Sequence, residues 1–404
     1  MSAVVHPEFS IHTSVTSLSG RDIENQADCS PDSETEGPLL WEGADVVGLI
    51  VALQRSLRTK RDVIIRRFSD APPPQGARRA SQGPSDAGWV VDAEAKVWLQ
   101  TSGTTGSPKW VSHRLERLCS AVRIRSQSAT WLMTYDMGSF AGLQVLLHAA
   151  CGPHKLVVPP SRSTPTQILE LAREEGVTHI SGTPTLWRTL LSTGVPFPTS
   201  LESITLGGEA VDQILLNTLR EQLPTAAIRH IYATTECGVV FTVTDDRAGF
   251  PAQWLQLATT EGFQLSISEN NTLQVASARV SELTTEKIWD TGDLVDVRED
   301  RVLFRGRVDS LINVGGHKVS PEFVEEHLMA SPDVLEAWAY AKPSPITGAL
   351  LFADVVPKSS DAGTQARIRQ HAKQLPRPAR PARLSFVERI TTNATGKKER
   401  RMHE

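Results

Sequence analysis

From residue 96 onward, short apolar runs alternate with longer amphipathic stretches, and this alternation restricts the fold more than any other feature of the chain. Extended runs are predicted at 97–99, 155–158, 178–181, 203–206 and 228–232, with helices at 113–126, 166–175 and 211–222. Strands joined through helices close most readily as parallel crossover units, so the pattern predicts an α/β chain: mainly parallel sheets with flanking helices. Ligands of such sheets gather at the C-terminal ends of the strands. Functional residues are therefore expected in the loops that leave those ends.

The flanking regions read differently. Residues 1–37 are rich in Ser, Thr, Asp and Glu without sustained apolar periodicity, which predicts a weakly structured, acidic lead-in. Between 44 and 67, Val46, Leu49, Ile50, Leu53 and Leu57 recur at helical spacing, and Arg55, Arg58, Lys60 and Arg61 read more plainly as a solvated face than as a binding patch. Pro72, Pro73, Pro74, Gly76, Gly83, Pro84 and Gly88 predict a linker or long loop. Past Asp309 the pattern becomes a compact α+β unit: helix 321–329, extended runs 334–341 and 350–356, helix 365–374, a Pro/Arg-rich loop 376–383, then a strand and a basic tail. The predicted organisation is a lead-in over 1–37, a large domain over 38–308 and a small C-terminal domain over 309–404.

The chain has 404 residues, with 42 Lys and Arg against 46 Asp and Glu for a net charge of −4, too balanced for nucleic-acid binding by bulk electrostatics. Cys29, Cys119, Cys151 and Cys237 form no CxxC spacing, so neither a zinc site nor a disulfide framework is expected, and reduced cytosol is the predicted compartment. No apolar run reaches the roughly 18 to 20 residues of a membrane span, and residues 1–20 lack a signal-peptide layout.

One loop follows the first strand of the alternation: Thr101-Ser102-Gly103-Thr104-Thr105-Gly106-Ser107-Pro108-Lys109. Its glycines let backbone N–H groups approach phosphate oxygens, the Thr104 and Thr105 hydroxyls add donors, and Lys109 supplies a mobile positive charge. A flexible Gly/Ser/Thr linker is the plainer alternative. It is not a Walker A loop, because no lysine directly follows a glycine with Ser or Thr after it, and Pro108 removes a donor that such a loop needs. The segment resembles the signature loop T-S-G-T-T-G-x-P-K of the adenylate-forming superfamily, which includes acyl-CoA synthetases, adenylation domains and luciferases. Trp110 stands where a glycine is common.

Further segments match that superfamily in order. Gly207-Gly208-Glu209-Ala210 follows a predicted strand, and the resemblance implies that its backbone borders the adenine; alone it reads as an ordinary strand-to-helix turn. Tyr232-Ala233-Thr234-Thr235-Glu236 is similar to Y-G-x-T-E, with Ala233 in place of the glycine. A tyrosine face can stack on adenine, a threonine hydroxyl can bond the α-phosphate, and a carboxylate can hold Mg²⁺, which assigns the metal to Glu236. Asp293, in Trp289-Asp290-Thr291-Gly292-Asp293, is implied to accept from ribose hydroxyls, although Thr-Gly-Asp by itself is a common turn. Arg305-Gly306-Arg307-Val308-Asp309 looks like the G-R-x-D hinge, with Arg307 on the nucleotide, Asp309 at the pivot and Phe304 beside the ribose.

The Gly315, Gly316, His317 and Lys318 loop matches the loop that faces the active site during thioester formation; His317 reads better as a surface residue than as a general base. Asn393-Ala394-Thr395-Gly396-Lys397 is similar to the family's C-terminal lysine motif, and Lys397 is implied to reach both the carboxylate and the α-phosphate.

The resemblance implies an enzyme, a cytoplasmic ligase. ATP and Mg²⁺ activate an acid to an acyl-adenylate with release of pyrophosphate, and the small mobile C-terminal domain then turns about Asp309 for transfer to coenzyme A or to carrier-protein phosphopantetheine. Residues 133–142 and 181–186 occupy the acyl-pocket stretches and favour a small or medium carboxylic acid. An unusual acid such as nitrite and transfer to an amine stay open, as does a non-catalytic nucleotide- or partner-binding protein derived from a synthetase. Lys109, Glu236, Asp293, Arg307 and Lys397 occurring together argue against such decay. The basic residues of the C-terminal region are compatible with CoA phosphates or an acidic carrier protein, though a solvated surface is the plainer reading. Relatives carry more chain before the phosphate loop, so a shortened N-terminal region, compensated by a partner or a second subunit, is expected.

Overall fold

The alternation anticipated between residues 96 and 232 is present in the computed structural model, which describes residues 4–14, 16–29, 38–43, 45–67, 95–101, 109–120, 122, 127–277, 288–344 and 348–390. The chain divides into two compact units. One comprises Met1–Gly182, Val195–Ile204 and Thr234–Gly238; the other comprises Thr183–Gly194, Thr205–Ala233 and Val239–Glu404.

In the first unit, strand His179–Gly182 runs parallel to Thr130–Leu132, which runs parallel to Lys155–Val157. Ser10–His12 continues the parallel series against Lys155–Val157, and Ser17–Ser19 closes it antiparallel. The helices beside these strands start where the sequence supplies an oxygen for their unpaired N–H groups. Ser139 caps Phe140–Ala150 through Gly142 N at 3.0 Å, and Thr164 caps Pro165–Glu174 with Gln167 reaching back to the Thr164 N–H. The predicted helix at 44–67 spans Val46–Thr59, buries Val46, Leu49, Ile50, Leu53 and Leu57, and is capped by Asp45.

A second sheet in this unit is built from Leu39–Glu42, Val63–Arg66, Lys96–Thr101 and Lys109–Arg114. The first three are parallel. The fourth is antiparallel to Lys96–Thr101, with Thr101 opposite Lys109. This corrects the helix predicted over 113–126: residues 109–114 are a strand, and helix begins only at Leu115–Ser120. Alternating Trp110, Ser112 and Arg114 with Lys109, Val111 and His113 suits a half-exposed ribbon better than a helix face, a period that the mixed side chains obscure.

The lead-in is also corrected. Among the described residues of 1–37 there are two strands and the helix Gly20–Cys29, and Val4, Phe9, Ile11 and Ile23 are fully buried in the unit's core. The Val4 N–H donates to Gln54 Oε1 at 2.8 Å. The strand Ser10–His12 is too short for a visible period and pairs with residues far away in sequence, so nothing local announces it.

The second unit contains the antiparallel sheet of Phe250–Pro251, Arg301–Arg307, Ile288–Arg298, Thr272–Ala276 and Gln264–Ile267, in that order. It also holds Ala227–Thr234 beside Gly238–Val243, apart from the end residues assigned above. Its C-terminal portion carries a core of its own. There Val334–Ser344 and Gly348–Pro357 form a long antiparallel pair, Arg383–Phe386 adds in parallel, and helices Pro321–Met329 and Ala362–Ala372 supply Val324, Leu328, Ile368 and Ala372 to that core. The predicted helices and strands between 321 and 386 are present, and the basic tail past residue 390 lies outside the described residues. No described helix is long and apolar enough to cross a membrane.

Replacing Phe9, fully buried, by Ala should lower unfolding stability by roughly 3–5 kcal/mol. Urea denaturation of wild type and variant reads it, and a loose N-terminal segment would leave the midpoint where it was.

Candidate active site

Four of the predicted nucleotide residues come together in the second unit. Tyr232 projects from Ala227–Thr234, Asp293 from Ile288–Arg298, and Phe304 and Arg307 from Arg301–Arg307. Tyr232 Oη donates to Asp293 Oδ2 at 2.5 Å, and Arg307 Nη1 donates to Asp293 Oδ1 at 2.9 Å. Each carboxylate oxygen thus faces its own donor. Arg307 Nε also donates to Asp309 Oδ1 at 3.1 Å, which ties the guanidinium to the predicted pivot.

The register explains the placement. Asp293 and Arg307 are cross-strand partners, but Val295 pairs with Phe304, so the ladder slips by one residue between them. Such a bulge re-aims the side chains beside it. The Tyr232 ring stacks on Phe304 (centroids 5.0 Å, 21° between planes) and on Phe241 (5.1 Å, 20°), while Phe241 and Phe304 both meet Phe250. This aromatic cluster fixes the phenol while its hydroxyl reaches the carboxylate.

Burial pushes the Asp293 carboxyl above the usual carboxylate value, against the opposing pull of Tyr232 and Arg307. Burial also lifts the Tyr232 hydroxyl well above its ordinary value, helped by the neighbouring Asp293 charge, so the phenol stays a donor at neutral pH.

Glu209 caps a helix. Its Oε2 accepts from Thr185 N at 3.0 Å in the first turn of Pro184–Ser192, where a negative charge is favoured, and this anchors the Gly207–Gly208 turn preceding it. The predicted thiol-acceptor loop is the hairpin between Ile312–Val314 and His317–Val319. Gly315 (φ 58°) and Gly316 (φ 88°) are both left-handed, as a two-residue hairpin turn requires, and Asn313 Oδ1 accepts from Gly316 N at 2.9 Å. His317 and Lys318 are exposed.

In the first unit, Thr234, Thr235 and Glu236 form the turn that follows Ala233. Thr234 Oγ1 accepts from Cys237 N at 3.0 Å. His113 Nε2 donates to the Thr235 carbonyl at 2.6 Å, and its ring lies 5.5 Å from that of Phe140. Sequence reasoning missed His113. Its signal is the strand period: once 109–114 is a strand, Lys109, Val111 and His113 share a face. Thr101 Oγ1 lies 3.5 Å from the Lys109 carbonyl, where the two antiparallel strands Lys96–Thr101 and Lys109–Arg114 face each other. Ser102, Gly103, Thr104, Thr105 and Gly106, and the C-terminal Lys397, lie outside the described residues. Among the described residues no three His, Cys, Asp or Glu side chains cluster as metal ligands. A magnesium ion held at Glu236 would take its remaining ligands from phosphate oxygens and water, the usual style of a magnesium site.

A family model described as "AMP-binding enzyme" matches residues 44–263, more than half of the chain, and one described as "AMP-binding enzyme C-terminal domain" matches 324–397. The chain belongs to the AMP-binding enzyme family. Among its relatives, the 4-coumarate–CoA ligase-like 4 of Oryza sativa subsp. japonica is 25% identical over 343 residues, covering 76% of this chain and 62% of the relative. The 2-succinylbenzoate–CoA ligase of Bacillus mycoides is 27% identical over 398 residues, covering 90% and 79%. The chain therefore spans less than two-thirds of the length of the rice relative. A solved structure of a benzoate CoA ligase from Burkholderia xenovorans superposes with a TM-score of 0.70 at 17% identity, covering 97% of this chain and 95% of that one, which shows a shared fold.

The raised Asp293 carboxyl makes a prediction whose sign is fixed. Between the ordinary value of 3.8 and its raised folded value, the folded chain keeps a proton that the unfolded chain has lost, so stability falls as pH rises through that window. Tyr232→Phe removes a donor to the charged form and should extend the window upward, whereas Asp293→Asn should abolish this contribution. Denaturation midpoints measured across pH 3 to 8 at roughly half-unit steps separate the two variants.

Proposed function

We propose that this protein is an ATP-dependent acid-activating ligase. A carboxylate oxygen attacks the α-phosphorus of ATP as the bond to the β-phosphate breaks, giving an acyl-adenylate and pyrophosphate. A thiol, as its thiolate, then attacks the acyl carbon and AMP departs. The observation that carries this reading is Asp293 holding two donors, Tyr232 and Arg307, one on each oxygen, beside a wall of stacked aromatic rings. A buried acceptor pair of this kind suits the two hydroxyls of a ribose, which can take over one of these contacts.

In this reading Lys109 and the loop before it hold the phosphates, and Thr235 bonds the α-phosphate. Magnesium, held by Glu236, would neutralise charge on the phosphates. His113 is a positioning residue, fixing the turn that carries Thr235 and Glu236 through its bond to the Thr235 carbonyl. Lys397 stabilises the charge that develops on the attacking carboxylate and the α-phosphate. The substrate is a small or medium carboxylic acid, a class consistent with the names of the relatives. The thiol is that of coenzyme A or of a carrier-protein phosphopantetheine, met by the exposed hairpin at Gly315, Gly316, His317 and Lys318. The segment from 309 onward, with its separate core, is the mobile lid, turning about Asp309.

Pyrophosphate release with ATP·Mg²⁺ across aliphatic, aryl and amino acids, with hydroxylamine to trap activated acid and coenzyme A added afterwards, tests the reading. Acid-dependent release is expected with at least one carboxylic acid. Nucleotide binding without release for any acid would leave a binding protein in its place. Lys397→Ala should cut adenylation by about a hundredfold or more while leaving ATP affinity within a few fold; unchanged release would remove that residue from the chemistry.

A further inference from the structure

The strand Arg301–Arg307 and the helix Pro321–Met329 lie on either side of Asp309 in the chain, and several side-chain contacts join them. Arg305 Nη1 pairs with Glu326 Oε2 at 2.8 Å. Ser320 Oγ lies 2.8 Å from both the Arg305 carbonyl and Glu322 Oε2. Ser310 Oγ lies 2.9 Å from the Arg307 carbonyl and 3.2 Å from Glu322 Oε1. Each serine has a single hydroxyl proton, so each chooses between a carbonyl before the pivot and the Glu322 carboxylate after it.

Gly306, at φ 99°, belongs to the same device. A Cβ there would stand 2.3 Å from Glu322 Oε2, so the absence of a side chain is what lets the carboxylate sit against the strand.

Arg305 has a second carboxylate within reach, Asp296 Oδ2 at 3.3 Å, on the neighbouring strand before the pivot. The Arg305 side chain is largely covered, whereas Glu326 and Asp296 are both about half exposed. When Glu326 withdraws, Arg305 keeps Asp296, whose Oδ2 it shares with the more exposed Arg298 Nε at 2.8 Å. A contact of this kind holds one orientation and still releases at small cost.

We infer that Arg305, Glu326 and Glu322 form a latch across the Asp309 pivot, and that opening it belongs to the turn between acid activation and thioester formation. This inference deepens the functional reading above and rests on it for its catalytic half. Arg305 and Glu326 are positioning residues: they touch neither substrate nor reacting atoms.

The test is a double-mutant cycle of Arg305→Gln, Glu326→Gln and the pair, read two ways. Hydrogen–deuterium exchange of the full chain without ligand follows the amides of 306–311. The expected result is exchange about two- to fivefold faster in each single variant and no faster in the double, the size expected of a half-exposed ion pair, with exchange in Gly348–Pro357 unchanged. Wild-type exchange should also rise with added salt while that of Glu326→Gln stays flat, because salt screens an ion pair.

The second reading compares the two half-reactions. Acyl-adenylate formation, measured as pyrophosphate release, should stay at the wild-type rate in Glu326→Gln, while single-turnover transfer to coenzyme A from the pre-formed adenylate changes about two- to fivefold. A ratio of half-reactions identical to wild type overturns the latch, as do additive exchange effects in the double variant. If the wild type adenylates no acid, the functional reading fails, and the exchange cycle still decides whether the latch exists.

Discussion

A single carboxylate organises the second unit. Asp293 is largely covered and held from both sides, and each of its partners belongs to a different strand. Burying a charge is costly unless every lone pair that needs a donor finds one. The strand carrying Tyr232 and the strand ending at Arg307 are therefore tied to Ile288–Arg298 by the same carboxylate that the proposed function gives to the ribose hydroxyls. The stacked rings of Tyr232, Phe241, Phe250 and Phe304 keep water from relieving that requirement elsewhere.

The first unit solves a simpler problem by similar means. At the turn with Thr235 and Glu236, the His113 imidazole donates to the Thr235 carbonyl. Because His113 sits on the strand that begins at Lys109, that strand also steadies the turn after Thr234. Asp136 works in the same manner at the entrance to Phe140–Ala150: it pairs with Arg67 and accepts from Gly138 N, fixing part of the 133–142 stretch that the family resemblance implies for the acyl pocket.

What could be read from the sequence follows from how each feature is encoded. Helices with regular apolar spacing, such as Val46–Thr59 and Pro321–Met329, were legible because a 3.6-residue period needs only local information. The strands of the alternation were legible as short apolar runs between helices. Tyr232, Asp293, Phe304 and Arg307 were found through motif order, yet their mutual contacts depend on a one-residue slip in the ladder that no motif reports. Ser10–His12 was missed because a three-residue strand borrows its order from Lys155–Val157, and Lys109–Arg114 because its mixed side chains hide a two-residue period. His113 went unnoticed for the same reason. Its role exists only once the strand and the distant Thr235 turn have met.

The close approach of Gly306 to Glu322 carries a consequence for descent as well as for motion. Any side chain at 306 must displace the carboxylate at 322, and it would also meet Ser320 Oγ at 2.9 Å on a backbone whose φ of 99° favours glycine, so a shorter residue at 322 does not by itself admit one. The dependence therefore runs one way: the glutamate's position needs the glycine, whereas the glycine is needed by its own backbone whatever stands at 322. A lineage can lose the glutamate and keep the glycine, but it cannot lose the glycine and keep the glutamate where it sits, because a Cβ at 306 would stand 2.3 Å from Glu322 Oε2.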